Sequence, residues 1–284
     1  MADWREFVAK KIGVVRKGRR RRALAMLSRF PRFADAPRHS LDGDLIVSLT
    51  SYPPRFARLA LTLKSLLDQQ LRPDRTLLWI ADGDMAELPP DVLALRDHGL
   101  EIRPCADVGS FKKILPALEA FPDSFILIAD DDSYYPPGWL GGFVRTFDRA
   151  DPTIVAGRTH RLVRDASGKP APYEKWDKDV FDRRASAPSR DLLPTGNGGV
   201  LYPPGSLPPW VVDDALRRRL SPTCDDLWLF FAARQVGTRT RRIPGFRLPL
   251  VEWPGNQEGS LRRFHRGGRK DAIIRALSDH FGNP

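Results

Sequence analysis

Length, composition and charge exclude several classes of protein before any motif is considered. The chain has 284 residues, of which 42% are hydrophobic, enough for a full core in one large or two small domains. No apolar stretch approaches the roughly 20 residues of a membrane-spanning helix, and the N-terminus lacks the apolar core of a signal peptide. Two cysteines, Cys105 and Cys224, are too few for a disulfide framework or a zinc site, so we expect a cytoplasmic protein.

The formal charge of +11 is concentrated at one end of the chain. Residues 1–40 contain 12 Lys or Arg and 3 acids, a balance of +9, which leaves +2 for the rest. We therefore predict a basic extension over residues 1–40 and a folded domain over 41–284. Trp4, Phe7, Val8, Ile12 and Val15 fall on one helical face, a pattern that favours an anionic membrane surface over nucleic acid as the partner. The alternative is a solvated arm with no partner.

From Leu41 onward, apolar strands alternate with segments of helical spacing. We predict strands at 44–49, 75–80 and 100–103, helices at 56–67, 91–97 and 111–120, and a further strand from Phe125. This β-α-β-α-β-α-β order predicts an α/β fold with a mostly parallel, doubly wound sheet flanked by helices.

The strand from Phe125 ends abruptly in the triplet Asp130, Asp131 and Asp132. Ligands bind at the carboxyl ends of the strands in such sheets, and a divalent cation would relieve the repulsion between three adjacent acids. In an extended chain Asp130 and Asp132 point to one side and Asp131 to the other, so the loss of Asp131 should cost less. The alternative is an acidic turn, since Ser133 and two prolines follow.

Two other predicted strands carry polar residues at the same end: Thr50 and Ser51 after the first, and Asp82 after the second. These residues and the triplet should therefore lie along one edge of the sheet. No GxGxxG follows the first strand and no GxxxxGK[ST] occurs, which disfavours a dinucleotide oxidoreductase or a P-loop enzyme.

The second half of the sequence is less regular. We predict a helix at 138–149, a long irregular segment at 157–195, and a strand at 200–202 after the glycine run that contains Gly198 and Gly199. Those glycines allow either a close backbone approach to a ligand or a hairpin turn. A helix should begin at Thr223 as N-cap, with Asp226 at N3, leaving Asp225 slightly freer. Two strand-like segments, 239–243 and 246–251, precede a short helix at 271–277.

Five blocks of this sequence, in order, resemble nucleotide-sugar-dependent glycosyltransferases of the GT-A fold, specifically bacterial enzymes related to family 2. The blocks are Ile46 to Tyr52, Ser65 to Gln70 with Phe111 to Ile114, the triplet with Tyr135-Pro136 and Trp139-Leu140, Gly198 to Pro203, and Asp225 to Leu229. The triplet resembles the Asp-x-Asp motif of that fold.

The resemblance implies a metal-dependent enzyme that moves one sugar from a UDP- or GDP-sugar to a hydroxyl of a glycan or lipid-linked acceptor. It implies Mn²⁺ or Mg²⁺ bound by Asp130, Asp132 and the late His265, and Asp225 or Asp226 as the general base of an inverting reaction. Donor contacts are expected at Thr50, Tyr52, Arg55, Asp82, Lys112, Lys113, Asp130, Asp131, Gly198 and Gly199. No Gln-x-x-Arg-Trp follows the acidic pair, which disfavours a processive polymerase.

Two other readings remain open at this point. A haloacid-dehalogenase-like phosphotransferase also has Asp-x-Asp after a strand, but it requires the motif on the first strand, whereas here it follows the fourth. A non-catalytic, basic-tailed binding protein would use the α/β domain only as a scaffold.

Overall fold

The structure is a computed structural model that describes residues 2–246, 250–254 and 268–284, with side chains from residue 14 onward. In chain order the strands are β1 (Leu45–Thr50), β2 (Arg75–Ala81), β3 (Leu100–Cys105), β4 (Phe125–Ile128), β5 (Ser133–Tyr134), β6 (Ile154–Ala156), β7 (Thr159–Arg161), β8 (Leu192–Pro194), β9 (Val200–Tyr202), β10 (Thr240–Arg242) and β11 (Val251–Glu252). The helices are α1 (Ala2–Leu27), α2 (Phe56–Leu67), α3 (Pro90–Leu93), α4 (Leu115–Ala120), α5 (Trp139–Thr146), α6 (Asp214–Leu220), α7 (Asp225–Gln235) and α8 (Arg269–Phe281).

Seven of these strands form a central sheet in the order β10-β6-β9-β4-β1-β2-β3. The pairs among β1, β2, β3 and β4 are parallel, and so is β10 with β6. Strand β9 runs antiparallel between β4 and β6. The predicted α/β class with a mostly parallel sheet is therefore confirmed, with one reversed strand beside the strand that carries the acidic triplet.

Helices cover both faces of the sheet, which explains why its strands are nearly continuous apolar runs. Along β1, Ile46 faces the layer that contains α7 and α8, and Val47 faces the layer that contains α2 and α5. Both side chains are fully buried. Because successive residues of a strand point to opposite faces, a strand with a helix on each side must be apolar at every position.

Several predicted helices are shorter than expected. The segment 111–120 begins as a 3₁₀ turn over Gly109–Lys113 and becomes α-helical at Leu115, with Pro116 in its first turn. A proline is tolerated there because its missing N–H would have no intrahelical partner. The helix predicted at 138–149 runs only over Trp139–Thr146. The predicted helix 56–67 and the strand 200–202 are confirmed at both ends.

The capping box predicted at Thr223 is wrong. Helix α7 begins at Asp225 with Cys224 as N-cap, and no side chain caps it. Asp225 and Asp226 are therefore the first two helical residues, and neither is at the N3 position that a capping box requires. Both carboxylates are left for other partners.

The irregular segment 157–195 contains a two-stranded antiparallel sheet of β7 and β8 and a buried aromatic pair, Tyr173 and Trp176. Its packing places Tyr173 beside the N-terminus of α8, where Asp271 accepts a hydrogen bond from the Tyr173 backbone N–H at 2.7 Å. Two segments distant in sequence are thereby joined near the carboxyl edge of the sheet.

The basic extension is joined to the domain at its C-terminal end. Ala23 and Leu27 of α1 are buried against Tyr134 and Trp253. Further along, Arg32 forms a salt bridge with the buried Asp68 at 2.5 Å. None of the helices in the described part of the chain is both long and apolar enough to cross a membrane.

Candidate active site

A cavity of about 480 Å³ opens at the carboxyl edge of the sheet, where β1 and β4 end. Of the site residues predicted from sequence, it is lined by Thr50, Tyr52, Arg55, Lys112, Lys113, Asp130, Asp131, Asp132, Asp225 and Asp226. Asp82, Gly198 and Gly199 are not among its lining residues, and His265 lies outside the described residues. The cavity thus brings the acidic triplet together with the acidic pair of α7, which is separated from it by more than ninety residues in sequence.

Asp131 is the buried member of the triplet. Its carboxylate accepts a hydrogen bond from Ser51 Oγ at 2.6 Å and forms a salt bridge with Arg55 at 2.5 Å. Burial raises its pKa more than these partners lower it. Strand alternation does not determine which way the Asp131 side chain points, because β4 ends at Ile128 and the triplet lies in the following turn. Its role in the structure is to hold the loop after β1.

Asp132 and Asp130 are both about one quarter exposed, at the cavity surface. Asp132 lies 3.3 Å from Arg55, and its pKa is raised to about 6 by burial and by its two neighbours in the triplet. Asp130 is 3.1 Å from Lys113. The Tyr135 hydroxyl accepts from the Asp130 backbone N–H at 2.7 Å and donates to its carbonyl at 3.1 Å. The backbone is therefore fixed at the point where the strand ends.

Lys113 is the central cation of the cavity. Its ammonium lies 3.1 Å from Asp130 and 2.9 Å from Asp225, so that it bridges the triplet and the acidic pair of α7. Burial alone would lower its pKa, but the surrounding carboxylates raise it well above the ordinary value. Ser48 Oγ donates to the Lys113 carbonyl at 2.7 Å and thereby ties the lysine to β1. The lysine therefore stays charged between the two acidic groups.

The two acids at the start of α7 have different environments. Asp225 accepts from Ser110 Oγ at 3.0 Å and pairs with Lys113; although burial raises its pKa, that ion pair leaves it below the ordinary value. Asp226 accepts from the Gly196 N–H at 3.0 Å. Burial and the neighbouring Asp225 raise the Asp226 pKa to about 6. At neutral pH, Asp226 is thus the stronger proton acceptor of the two.

Within the glycine run, Gly196 lines the cavity. A Cβ at Gly196 would lie 2.7 Å from Lys113 Nζ. At Gly199 a Cβ would instead lie 2.6 Å from the Trp139 ring, and its φ of +94° is in the left-handed region that favours glycine. Gly198 accepts a hydrogen bond from Trp139 Nε1 through its carbonyl, at 2.8 Å. Gly198 and Gly199 therefore support the core beneath the cavity.

Sequence reasoning missed several cavity residues, namely Ser110, Arg158, His160, Tyr173, Asn197, Glu252 and Lys270. Only Asn197 had a signal, since it belongs to the glycine run. Apart from Lys270, at the start of α8, the others lie in irregular or short segments where no periodicity or motif marks a side chain as functional. Chain order placed them far from the triplet, and only tertiary packing brings them to it.

The charges that line the cavity bear on how it could hold a metal ion. Its described lining residues carry seven carboxylates and five lysine or arginine side chains, a formal balance of −2. A bound cation would offset this negative balance when a diphosphate enters the cavity. Among the described residues no three His, Cys, Asp or Glu side chains are grouped closely enough to hold a metal by themselves. Mg²⁺ is commonly bound by one or two carboxylates with phosphate oxygens, and Asp130 and Asp132 fit that arrangement.

Residues 54–191 match the family model described as Glycosyl transferase family 2. Among solved structures, the mannosyltransferase PcManGT from Pyrobaculum calidifontis, in complex with GDP-Man and Mn²⁺, has a TM-score of 0.47 and 15% identity, covering 97% of this chain and 80% of that chain. The inositol-1-phosphate CTP transferase from T. maritima has a TM-score of 0.43 and 13% identity, covering 85% and 98%. S. aureus TarS 1-349 has a TM-score of 0.43 and 14% identity, covering 71% of this chain and 58% of that chain. No curated protein matches the chain.

Proposed function

We propose that this chain transfers a single sugar from a nucleoside-diphosphate sugar to a hydroxyl acceptor. The match of residues 54–191 to glycosyl transferase family 2 supports this proposal. The observation that carries the proposal is the arrangement of carboxylates in one cavity. A triplet at the end of β4 and a second acidic pair at the start of α7 face the same space, with Lys113 between them. The two acidic groups suit the two tasks of the reaction, which are to bind a diphosphate and to accept a proton.

Asp226 is proposed as the general base. A base must be ionised at the working pH and yet hold a proton well enough to remove one from a hydroxyl, and a pKa near the working pH meets both needs. The pKa of Asp226 is about 6, whereas that of Asp225 is held low by Lys113. Asp225 then serves to position Lys113. Inversion at the anomeric carbon follows if the acceptor hydroxyl attacks directly from the side of Asp226.

Donor binding is proposed at the triplet and the loop after β1. Asp130 and Asp132 would hold Mg²⁺ or Mn²⁺ together with the diphosphate of a UDP- or GDP-sugar, and the predicted third ligand is His265. When bound, that cation neutralises negative charge on the departing nucleoside diphosphate. Arg55 orients Asp131 and Asp132, so that the carboxylates are fixed before the donor arrives. Thr50 and Tyr52 line the same wall and are the proposed nucleotide contacts.

The position of the triplet argues against a haloacid-dehalogenase-like phosphotransferase. That chemistry needs a nucleophilic aspartate after the first strand of the sheet, whereas the triplet follows β4. At the end of β1 the chain has Thr50 and Ser51 instead. In addition, the most buried acid of the triplet, Asp131, is held in a salt bridge and is not free to attack a phosphoryl group.

The direct test measures release of nucleoside diphosphate from a panel of sugar nucleotides with Mn²⁺ and with Mg²⁺, with and without hydroxyl acceptors. Asp132→Asn should lose turnover and donor affinity together. Asp226→Asn should retain donor affinity and lose transfer by about 10²- to 10⁴-fold, the usual contribution of a general base. Asp123→Asn, in an exposed turn outside the cavity, is the matched control. Full activity of Asp132→Asn would sink the donor assignment.

A peripheral position on the cytoplasmic face of a membrane is also proposed, with a glycan or lipid-linked acceptor. Beyond its buried Ala23 and Leu27, α1 exposes basic side chains, among them Lys17 and Arg21, and two valines, Val14 and Val15, that are 67% and 60% exposed. Basic residues near an anionic lipid surface contribute about 1 kcal/mol each. Exposed apolar side chains add burial in the interface.

Membrane binding is tested by sedimentation of the full chain with vesicles of phosphatidylcholine with and without phosphatidylserine. Reversal of two charges, Lys17→Glu with Arg21→Glu, should weaken binding to the anionic vesicles at least about 10-fold. The control, Arg183→Glu with Arg184→Glu, changes the net charge equally on an exposed turn elsewhere. Equal binding by both double variants would rule out attachment through α1.

A further inference from the structure

A cationic cluster lies beside the cavity, and its members Tyr173 and Lys270 line the cavity together with Asp226. The side chains of Lys178 and Lys270 both lie against one tyrosine ring: their ammonium nitrogens are 3.2 Å and 4.1 Å from the centroid of Tyr173. Lys270 also donates to the Tyr173 hydroxyl at 3.1 Å, and Lys178 donates to the Tyr173 carbonyl. Tyr173 is itself buried and held by its backbone bond to Asp271. The two ammonium groups are therefore fixed close to each other.

Neither lysine forms a close ion pair among the described residues; the carboxylates that act on them from farther away are Asp226 for Lys270, and Glu174 and Asp271 for Lys178. Burial and the charge of Lys270 lower the pKa of Lys178 to about 8. Lys270 lies in the first turn of α8, where the positive end of the helix dipole also disfavours a cation. Two like charges held together at such a place would be stabilised by an anion from outside the chain.

The cluster lies on the base side of the cavity. The carboxylate that acts on the charge of Lys270 is that of Asp226, whereas the charged groups that act on Asp132 are the other triplet acids, Arg55 and Glu252. Lys270 and Tyr173 line the cavity together with Asp226. A group that binds Lys270 is therefore beside the proposed base, where the acceptor must place its hydroxyl, and away from the acids proposed to hold the donor diphosphate.

We infer that the acceptor carries a carboxylate or a phosphate, which binds at Lys270, with Lys178 adding positive charge, while the reacting hydroxyl faces Asp226. Tyr173 acts as the platform that fixes both ammonium groups. An ammonium group bound to an anion in a partly buried site forms a charge-assisted hydrogen bond, which is about twice as strong as a neutral one. A neutral acceptor would add no negative charge beside the two lysines. This inference rests on the proposed transfer reaction, because it assigns the acceptor side of the same cavity.

The test compares sugars that differ only in charge. Binding of glucose, glucuronate and glucose 6-phosphate to the full chain is measured by calorimetry in the presence of the nucleoside diphosphate that the donor assay identifies. We expect the two anionic sugars to bind at least about 10-fold more tightly than glucose, and Lys270→Gln to remove that advantage. Lys270→Arg should keep most of it. Lys175→Gln, an exposed lysine of the same segment, is the matched control and should change nothing.

A second readout does not depend on sugar recognition by the whole site. Because the pKa of Lys178 is about 8, its amine should be acylated ahead of ordinary surface lysines near pH 8, and glucose 6-phosphate should protect it. Equal binding of all three sugars, or an anion advantage that survives in Lys270→Gln, would overturn the inference. The inference would also be overturned if neutral and uronic sugar nucleotides showed that the enzyme discriminates charge only on the donor sugar. Donor turnover without any charge preference would refute this inference alone, whereas absence of donor turnover would refute the proposed function.

Discussion

Replacement of Asp226 by asparagine is expected to stabilise the protein above pH 6 while it removes the proposed base. The pKa of the buried carboxyl is raised from 3.8 to about 6, so its ionised form is less favourable in the folded state than in the unfolded state. Each pKa unit corresponds to about 1.4 kcal/mol, which gives a penalty of up to about 3 kcal/mol once the group is ionised. Asparagine has the same shape and can still accept the Gly196 N–H.

The sign and the pH range follow from the raised pKa. Below pH 4 the carboxyl is protonated in both the folded and the unfolded protein, and the penalty is absent. Between pH 4 and 6 the unfolded chain loses its proton first, so the stability of the natural protein falls as the pH rises. Above pH 6 the full penalty applies. The stability difference between Asp226→Asn and the natural protein should therefore grow from near zero at pH 4 to its maximum at pH 8.

Urea unfolding at pH 4 and pH 8 measures this difference, and transfer rates at pH 8 measure the loss of the base. The neighbouring variant Asp225→Asn is the matched control, and its effect should have the opposite sign. Its pKa is lowered by the ion pair with Lys113, so this carboxylate stabilises the fold at pH 8. An Asp226→Asn protein that is less stable at pH 8, or equally shifted at both pH values, would refute the reasoning.

Two further variants test the supports of the cavity. Lys113→Met should lower the free energy of unfolding by about 3 to 5 kcal/mol, because it leaves two acidic partners without their cation. Lys112 pairs with an exposed carboxylate, so the loss of that ion pair in Lys112→Met should lower the free energy of unfolding by less than about 1 kcal/mol. Gly199→Ala should cost more than about 2 kcal/mol, since its Cβ would lie 2.6 Å from Trp139. Gly205→Ala, also at positive φ but with open space around it, should cost about 1 kcal/mol. Urea unfolding of all four measures both pairs, and equal losses within either pair would contradict the corresponding contact.

The strands that position the site could be predicted from the sequence, because they follow from the spacing of apolar residues. The apolar runs of β1 and β4, each followed by polar residues, predicted both the parallel sheet and the edge at which Thr50 and the triplet meet. Where strands are buried on both faces, a polar residue can occur only where the strand ends, so the pattern itself marks the functional edge.

The roles of individual side chains within the site could not be predicted from the sequence to the same extent. Asp225 and Asp226 are adjacent, and their roles differ only because Lys113, more than one hundred residues earlier, pairs with one of them. The N-cap was misplaced by one residue, at Thr223 instead of Cys224, since a threonine followed three residues later by an acid matches a capping box in sequence. The lysines around Tyr173 had no signal, because their proximity arises from the packing of an irregular segment against α8.

The short strand β11 lies between α1 and the triplet. Arg20 of α1 donates to the Glu252 carbonyl at 2.9 Å, and the next residue, Trp253, donates its N–H to the Asp132 carbonyl at 2.9 Å. A displacement of α1 along the domain surface would therefore move the backbone of Asp132, which is proposed to bind the donor. If a surface that binds α1 in a shifted position changes the affinity for the proposed donor, thermodynamic reciprocity requires that the donor change the affinity for that surface by the same factor.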